Sequence, residues 1–229
     1  MNASHPDPAR ETHATTTSPG EGPRTPSSEF SRLPSPEQVE RARAALEKNG
    51  FHVVVVADRA AARRAVLELV PEHSEILEAA SQTLAETGLL ADLGDPRRFR
   101  SVRPQLMKYV QEGRPEEQRK IGAAPNFVLG SVHAVTESGQ VVIASATGSQ
   151  LGPYAYGAGK VIWVVGTQKI VSDLDSAMRR VHEYTFPLED ARARKVYGSG
   201  SVIGKLLIVN REIQPGRITL VLVQEKLGF

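Results

Sequence analysis

Residues 35–72 read SPEQVERARAALEKNGFHVVVVADRAAARRAVLELVPE, and this stretch decides the fold class. Ser35 stands where an N-cap belongs, Pro36 at the first helical position, and Glu37 and Glu40 in the first turn, where carboxylates meet the positive end of a helix. Val39, Ala42 and Leu46 recur at helical spacing, and Asn49-Gly50 stops the helix. FHVVVVAD follows. A continuous valine run suits a strand covered on both faces, as in a parallel sheet. Ala60 to Leu69 is a second helix, ended by Pro71. Helix, strand, helix is the opening of an α/β domain.

Working outward, the chain toward the N-terminus changes character. Seven of the 15 prolines lie in the first 36 positions, among Ser, Thr and Gly, with Phe30 and Leu33 almost the only large apolar side chains. Such a segment buries too little surface to offset its ordering entropy, so residues 1–34 are expected to be a disordered tail and 35–229 one domain. Toward the C-terminus, Ser81 caps a short helix stopped at Gly88. Phe99 to Arg103 reads as a strand, and Pro104 to Ile121 as two helical pieces broken at Gly113 and Pro115. NFVLGSVHAVTESGQVVIASA (126–146) contains two or three short strands, with Glu137-Ser138-Gly139 turning a hairpin. KVIWVVG (160–166) is a buried strand containing Trp163. Ser172 caps the helix that follows, on which Arg179 and Arg180 are expected to be solvated. Glu183 to Lys195 reads as helical too. KLLIVN and RITLVLVQ are final strands parted by Gln214-Pro215-Gly216.

Composition narrows the function. Hydrophobic residues are 40% and charged residues 24% of the 229, enough for a substantial core. Lys+Arg 28 against Asp+Glu 26 gives a net charge of +2 without a clustered basic excess, and aromatic residues are 5%. Neither suits a nucleic-acid binder. Cysteine is absent, which excludes a disulfide framework, a Cys nucleophile, thiolate zinc and an all-Cys iron–sulfur cluster in this chain. No apolar run approaches a membrane span and no secretory h-region precedes the domain, so a cytoplasmic protein is expected. The six histidines are scattered, without metal-ligand spacing.

Candidate chemistry gathers between Gly130 and Gly166, where glycines and hydroxyls follow strand ends. Gly130-Ser131 and Thr147-Gly148-Ser149-Gln150 suit either ordinary turns or a cradle for a phosphate or carboxylate. No P-loop or dinucleotide fingerprint is present. Ser81, Thr83 and Glu86 form a second candidate, either a plain cap or an anion site. His133 and Glu137 share a strand face and could serve as a proton-transfer pair or stand on a strand surface. Lys160 and Lys169 flank the KVIWVVG strand. Lys169, just past its carboxyl end, is placed to meet an anionic ligand or to stand as a solvated loop lysine.

The stretch GSVHAVTESGQVVIASATGSQLGPYAYGAGKVIWVVGTQKIVSDLDSAMRRV (130–181) resembles the LUD (lactate utilisation) domain family. The ordered set is Gly130-Ser131, Glu137 to Gly139, Thr147-Gly148, Val164 to Gly166, Lys169-Ile170-Val171 and Asp173. GRITLVLVQEKLGF (216–229) resembles the family's last strand and tail, and the 48–72 stretch its opening. The chain departs from the family where LEAASQTLAETG (77–88) has Glu78-Ala79-Ala80 in place of glycines, and where VYGSGSVIGK (196–205) lacks the cysteine cluster of longer relatives. The resemblance implies a fold like that of ribose-5-phosphate isomerase and the CoA transferases, a sheet flanked by helices. It implies an accessory role in bacterial L-lactate oxidation beside iron–sulfur partner proteins, which would hold the redox centres because this chain carries no cofactor of its own. Ser131, Thr147, Gln150 and Lys169, with Ser81 and Thr83, would line a ligand cleft, Glu137 serving as the catalytic proton-transfer group. The alternatives are a stand-alone enzyme, or a binding or sensing module, for a small anionic ligand such as a sugar phosphate or acyl-CoA.

Overall fold

A computed structural model describes residues 25–229. The order is α1 (Pro36–Lys48), β1 (His52–Val56), α2 (Arg59–Leu69), β2 (Glu75–Glu78), α3 (Gln82–Glu86), α4 (Leu89–Leu93), β3 (Arg100–Ser101), α5 (Arg103–Gln111) and α6 (Pro115–Ala123). Then follow β4 (Phe127–Gly130), β5 (Ala134–Thr136), β6 (Val141–Ser145), β7 (Lys160–Gly166), β8 (Ile170–Val171), α7 (Leu174–Arg180), α8 (Phe186–Tyr197), β9 (Lys205–Val209) and β10 (Ile218–Val223).

The first helix starts as its sequence predicts. Gln38 N–H donates to Ser35 Oγ at 3.3 Å, and Ser35 N–H donates to Gln38 Oε1 at 3.0 Å, a reciprocal cap. The valine run of β1 lies in a six-stranded sheet of order β1-β10-β7-β4-β2-β3, every pairing parallel. One face packs on α2 to α4 through Ala62, Val66, Leu84, Leu89 and Leu93. The other packs on Val39, Ala42 and Leu46 of α1, and also on Val135, Val141 and Ile143. Those three belong to a second sheet of order β8-β5-β6-β9. Its far side meets Ala177 of α7, Val181 and Tyr184. The α/β fold with a sheet flanked by helices is therefore present, with a second sheet inside it.

The two sheets share a seam. Neighbouring β4 and β7 both leave the first sheet at their carboxyl ends and within a few residues enter the second as β5 and β8, again side by side and parallel. In that register Val135 lies opposite Ile170. The crossover segments 131–133 and 167–169 are thus adjacent where the strands of a parallel sheet end, the usual place for a ligand in such folds.

Several expectations need correction. Residues 1–24 of the expected tail lie outside the described residues, but residues 25–34 are ordered against the domain. Ser27 N–H donates to the Glu183 carbonyl at 2.9 Å, Ser28–Ser31 form a 3-10 turn, and Phe30 is buried under the Arg179 guanidinium. A single aromatic anchor, Phe30, supplies the burial that the rest of the segment's composition lacks. Strand β2 was unread because EILE carries a glutamate at each end; Glu78 is nevertheless buried, accepting from Ser101 Oγ at 2.9 Å. The expected 99–103 strand shrinks to two residues, since α5 begins at Arg103. The cap of α7 is Asp173 rather than Ser172: Asp173 Oδ1 accepts the Ser176 N–H at 2.7 Å, and Ser172 Oγ supports the carboxylate. The two final strands lie in different sheets.

Candidate functional site

The seam carries the chemistry. Lys169 follows β7 and is only 2% exposed. Its Nζ lies 3.0 Å from Thr83 Oγ1, at the start of α3, and 3.0 Å from Ser131 Oγ, just past β4. The structure therefore joins three of the residues singled out from the sequence, from three separate elements. Glycine at 130 makes this possible, because a Cβ there would stand 1.8 Å from the Tyr154 hydroxyl. Tyr154 is itself buried edge-on to Trp163, ring centroids 5.4 Å apart. Ser81 does as its sequence suggests: its Oγ accepts the Leu84 N–H at 3.3 Å and so starts the helix that presents Thr83.

Two further basic groups stand beside this cluster. His133 is partly buried, and its Nδ1 accepts the Ala144 N–H at 3.0 Å, which leaves the ring proton on Nε2. Arg180, expected on a solvated face, is instead fully buried. It lies in register with the apolar Ala177 and Tyr184 rather than with its exposed neighbour Arg179, and that helical spacing was the signal missed. One Arg180 nitrogen, Nη1, donates to the His133 carbonyl and, at 3.1 Å, to Thr185 Oγ1. Burial holds the Lys169 ammonium well below its ordinary range, the Arg180 charge lowers it further, and Glu86 opposes both. Burial likewise lowers His133 far from its usual value, with Lys169 and Arg180 adding to the effect, and brings Arg180 down to about 10. Glu86, the acid acting on Lys169 among the described residues, receives the Gly228 N–H at 2.8 Å.

The chain's last residues close one side. Gln168 Nε2 donates to the Leu227 carbonyl at 2.8 Å, and Leu227 N–H returns to Gln168 Oε1 at 3.3 Å. Gly228 adopts φ +58°, and a Cβ there would stand 2.4 Å from Thr83 Oγ1. Gln168, Arg180 and this terminal segment were not read as site components from the sequence.

The other candidates lie elsewhere. Glu137 does not join the cluster. Its carboxylate is bound by Arg41 Nε at 2.6 Å and Gln38 Nε2 at 3.0 Å, and these contacts hold it below the ordinary carboxylate range. An ionised, ion-paired carboxylate ties the hairpin to α1 and is a poor proton donor, so the expected proton-transfer role is not supported by its surroundings. Thr147 and Gln150 form a self-contained loop after β6: the Thr147 carbonyl accepts from Lys205 Nζ at 2.7 Å, and Gln150 Oε1 accepts from Ser145 Oγ at 2.9 Å. Lys160 is spent on the Gly216 carbonyl. Among the described residues no group of three or more His, Asp or Glu side chains is arranged to hold a metal, and no helix is long and apolar enough to cross a membrane.

Residues 39–223 match the LUD domain family. This chain belongs to that family. Among solved structures, a DUF162 family protein from Deinococcus radiodurans superposes with a TM-score of 0.50 at 14% identity, covering 84% of this chain and 99% of that one. At that identity the likeness speaks for the fold alone, and it supports the α/β architecture. Ribose 5-phosphate isomerase A from Neisseria gonorrhoeae also matches, with a TM-score of 0.31 at 17% identity over 51% of this chain and 53% of that one. No curated protein is matched.

Proposed function

We propose that this LUD-domain protein is a non-redox, cytoplasmic component of organic-acid utilisation, with L-lactate the leading acid, and that it works beside iron–sulfur partner proteins. The observation that carries the ligand half of this reading is Lys169. It is a buried amine whose hydrogen-bond partners among the described residues are two hydroxyls, at the carboxyl ends of a parallel sheet. Burying an amine without an opposite charge is costly, and a fold tolerates it where function requires it. Lys169, His133 and Arg180 present hydrogen-bond donors beside the Thr83 and Ser131 hydroxyls, whose own protons turn to the Leu227 and Val132 carbonyls. A small carboxylate brings only acceptors and completes such a set. The partner half of the reading rests on family membership and on the absence of cysteine from this chain.

The test is thermal unfolding of the full chain with L-lactate, inorganic phosphate and ribose 5-phosphate, beside growth of a deletion strain on L-lactate as sole carbon source. Lactate is expected to raise the unfolding midpoint of the wild type and of Glu137→Gln alike, and to raise that of Lys169→Met by less. A deletion strain lacking any second LUD gene is expected to lose growth on lactate. Stabilisation by ribose 5-phosphate alone, with normal growth, would overturn the proposal in favour of a sugar-phosphate site.

A further inference from the structure

We infer that Arg180 is the carboxylate-binding residue of this site, and that the ligand is a 2-hydroxy- or 2-oxocarboxylate whose carboxylate lies along the Nε–Nη2 edge of Arg180 while its neighbouring oxygen faces Lys169. This rests on the organic-acid reading of the Lys169 cluster and goes further by dividing the ligand between two residues.

The argument starts from the guanidinium. Arg180 is 0% exposed, yet its Nε and Nη2 are buried with no hydrogen-bond partner among the described residues. Its Nη1 is committed to the His133 carbonyl and to Thr185, and the Tyr184 ring lies 5.0 Å from the guanidinium carbon. These contacts fix the plane of the group and leave one edge over. That edge has a known use in this molecule. Arg63 puts Nε and Nη2 on the two oxygens of Asp92, at 2.6 Å each. Arg97 does the same with Asp95, Arg192 with Glu189, and Arg179 with Glu183. Arg43 grips Glu40 likewise, so five arginines among the described residues take a carboxylate side-on through the same pair of nitrogens. Arg180 alone among these six presents that pair in the interior.

A buried guanidinium with two unmet donors is expensive, and deprotonating arginine is no remedy near neutral pH. A carboxylate is the ligand whose two oxygens match the fork. The placement of Lys169 then restricts the rest of the ligand. In the β5–β8 register, Lys169 precedes Ile170 and His133 lies two residues before the paired Val135, so the Lys169 and His133 segments run side by side. Arg180 Nη1 is bonded to the backbone of His133 itself. The Lys169 amine, the Ser131 and Thr83 hydroxyls and the His133 Nε2–H are each suited to an uncharged oxygen. A hydroxyl or carbonyl oxygen next to the carboxylate satisfies them, whereas the α-carbon hydrogens of a plain fatty acid do not.

Equilibrium binding by calorimetry tests this with the full chain and four compounds: L-lactate, pyruvate, propionate and L-lactamide. The wild type is expected to bind lactate and pyruvate, propionate more weakly, and lactamide not at all. Arg180→Lys keeps the charge but loses the fork, and is expected to weaken lactate and propionate alike by roughly tenfold or more. Lys169→Met is expected to erase the preference for lactate over propionate. Wild-type affinity for lactate in Arg180→Lys, or lactamide bound as well as lactate, overturns the Arg180 assignment while leaving the organic-acid reading standing. Failure of the wild type to bind lactate or pyruvate at millimolar concentration overturns both. Should Arg180→Lys not fold, the wild type still decides through its Arg180 Nε–H nuclear magnetic resonance signal. That signal is expected to move as lactate is added, and a signal unmoved at saturation overturns the assignment.

Discussion

Lys169 shows how one residue can cost stability and still be kept. In the unfolded chain its amine holds a proton up to about pH 10.4. In the folded chain burial, with Arg180 adding, lowers that value, so folding near neutrality strips or strands the charge. Between the folded and the unfolded value the unfolded state binds the extra proton, and stability there rises with pH. The deficit is largest below the folded value and disappears above the unfolded one. Lys169→Met, which nearly preserves shape and removes the amine, is therefore expected to unfold a few degrees higher than the wild type at pH 7. The gap should narrow as the pH is raised toward 10.5. Denaturant unfolding of both proteins from pH 7 to 10 checks this. A Lys169→Met protein less stable than the wild type at pH 7 would mean that the bonds to Ser131 and Thr83 outweigh the burial cost.

At the scale of elements, the site depends on how closely β4 approaches the turn around Tyr154. Gly130 ends β4, and any side chain there would meet the Tyr154 hydroxyl at 1.8 Å and the ring carbon bearing it at 3.0 Å. Gly130→Ala is expected to cost about 1–3 kcal/mol as an overpacking change. Removing the hydroxyl with Tyr154→Phe should recover part of that loss, because the ring carbon remains close. Unfolding free energies of the two single variants and the double variant measure the coupling, and additive effects would refute the contact. Elements with long periodic or continuous apolar patterns were legible in the sequence: α1, β1, α2, β7 and β10 stand where their residues put them. The second sheet was not, because β5 and β8 are three and two residues long and take their identity from a neighbour rather than from their own pattern. Of the site, Lys169, Ser131 and Thr83 were legible as candidates, but their meeting was not, since 86 positions separate Thr83 from Lys169. Arg180 was misread because its charge was weighed and its helical spacing was not. Glu137 was misplaced because sharing a strand face with His133 says nothing of the helix that Arg41 brings against it.

For the whole molecule, the donors come from the two segments that cross between the sheets and from two helices, so a ligand at the seam joins parts that otherwise meet mainly through apolar side chains. It also changes the charge of the molecule. Without ligand, burial and Arg180 both disfavour the Lys169 proton. A carboxylate placed beside Arg180 offsets the guanidinium charge and so favours the ammonium form of Lys169. Binding and protonation are then linked: the complex holds more protons than the free protein, and affinity falls as pH rises between the free and bound values of Lys169. Calorimetric titration of lactate at pH 8 in buffers of different ionisation enthalpy should show net proton uptake. Affinity should drop by up to about tenfold per pH unit if one full proton is taken up. Lys169→Met should bind without that uptake, because Arg180 keeps its proton on both sides of the reaction. Uptake that survives in Lys169→Met would move the linked proton to His133, the remaining titratable base at the seam among the described residues. Binding with no uptake in the wild type would mean that Lys169 meets the ligand as a neutral amine throughout.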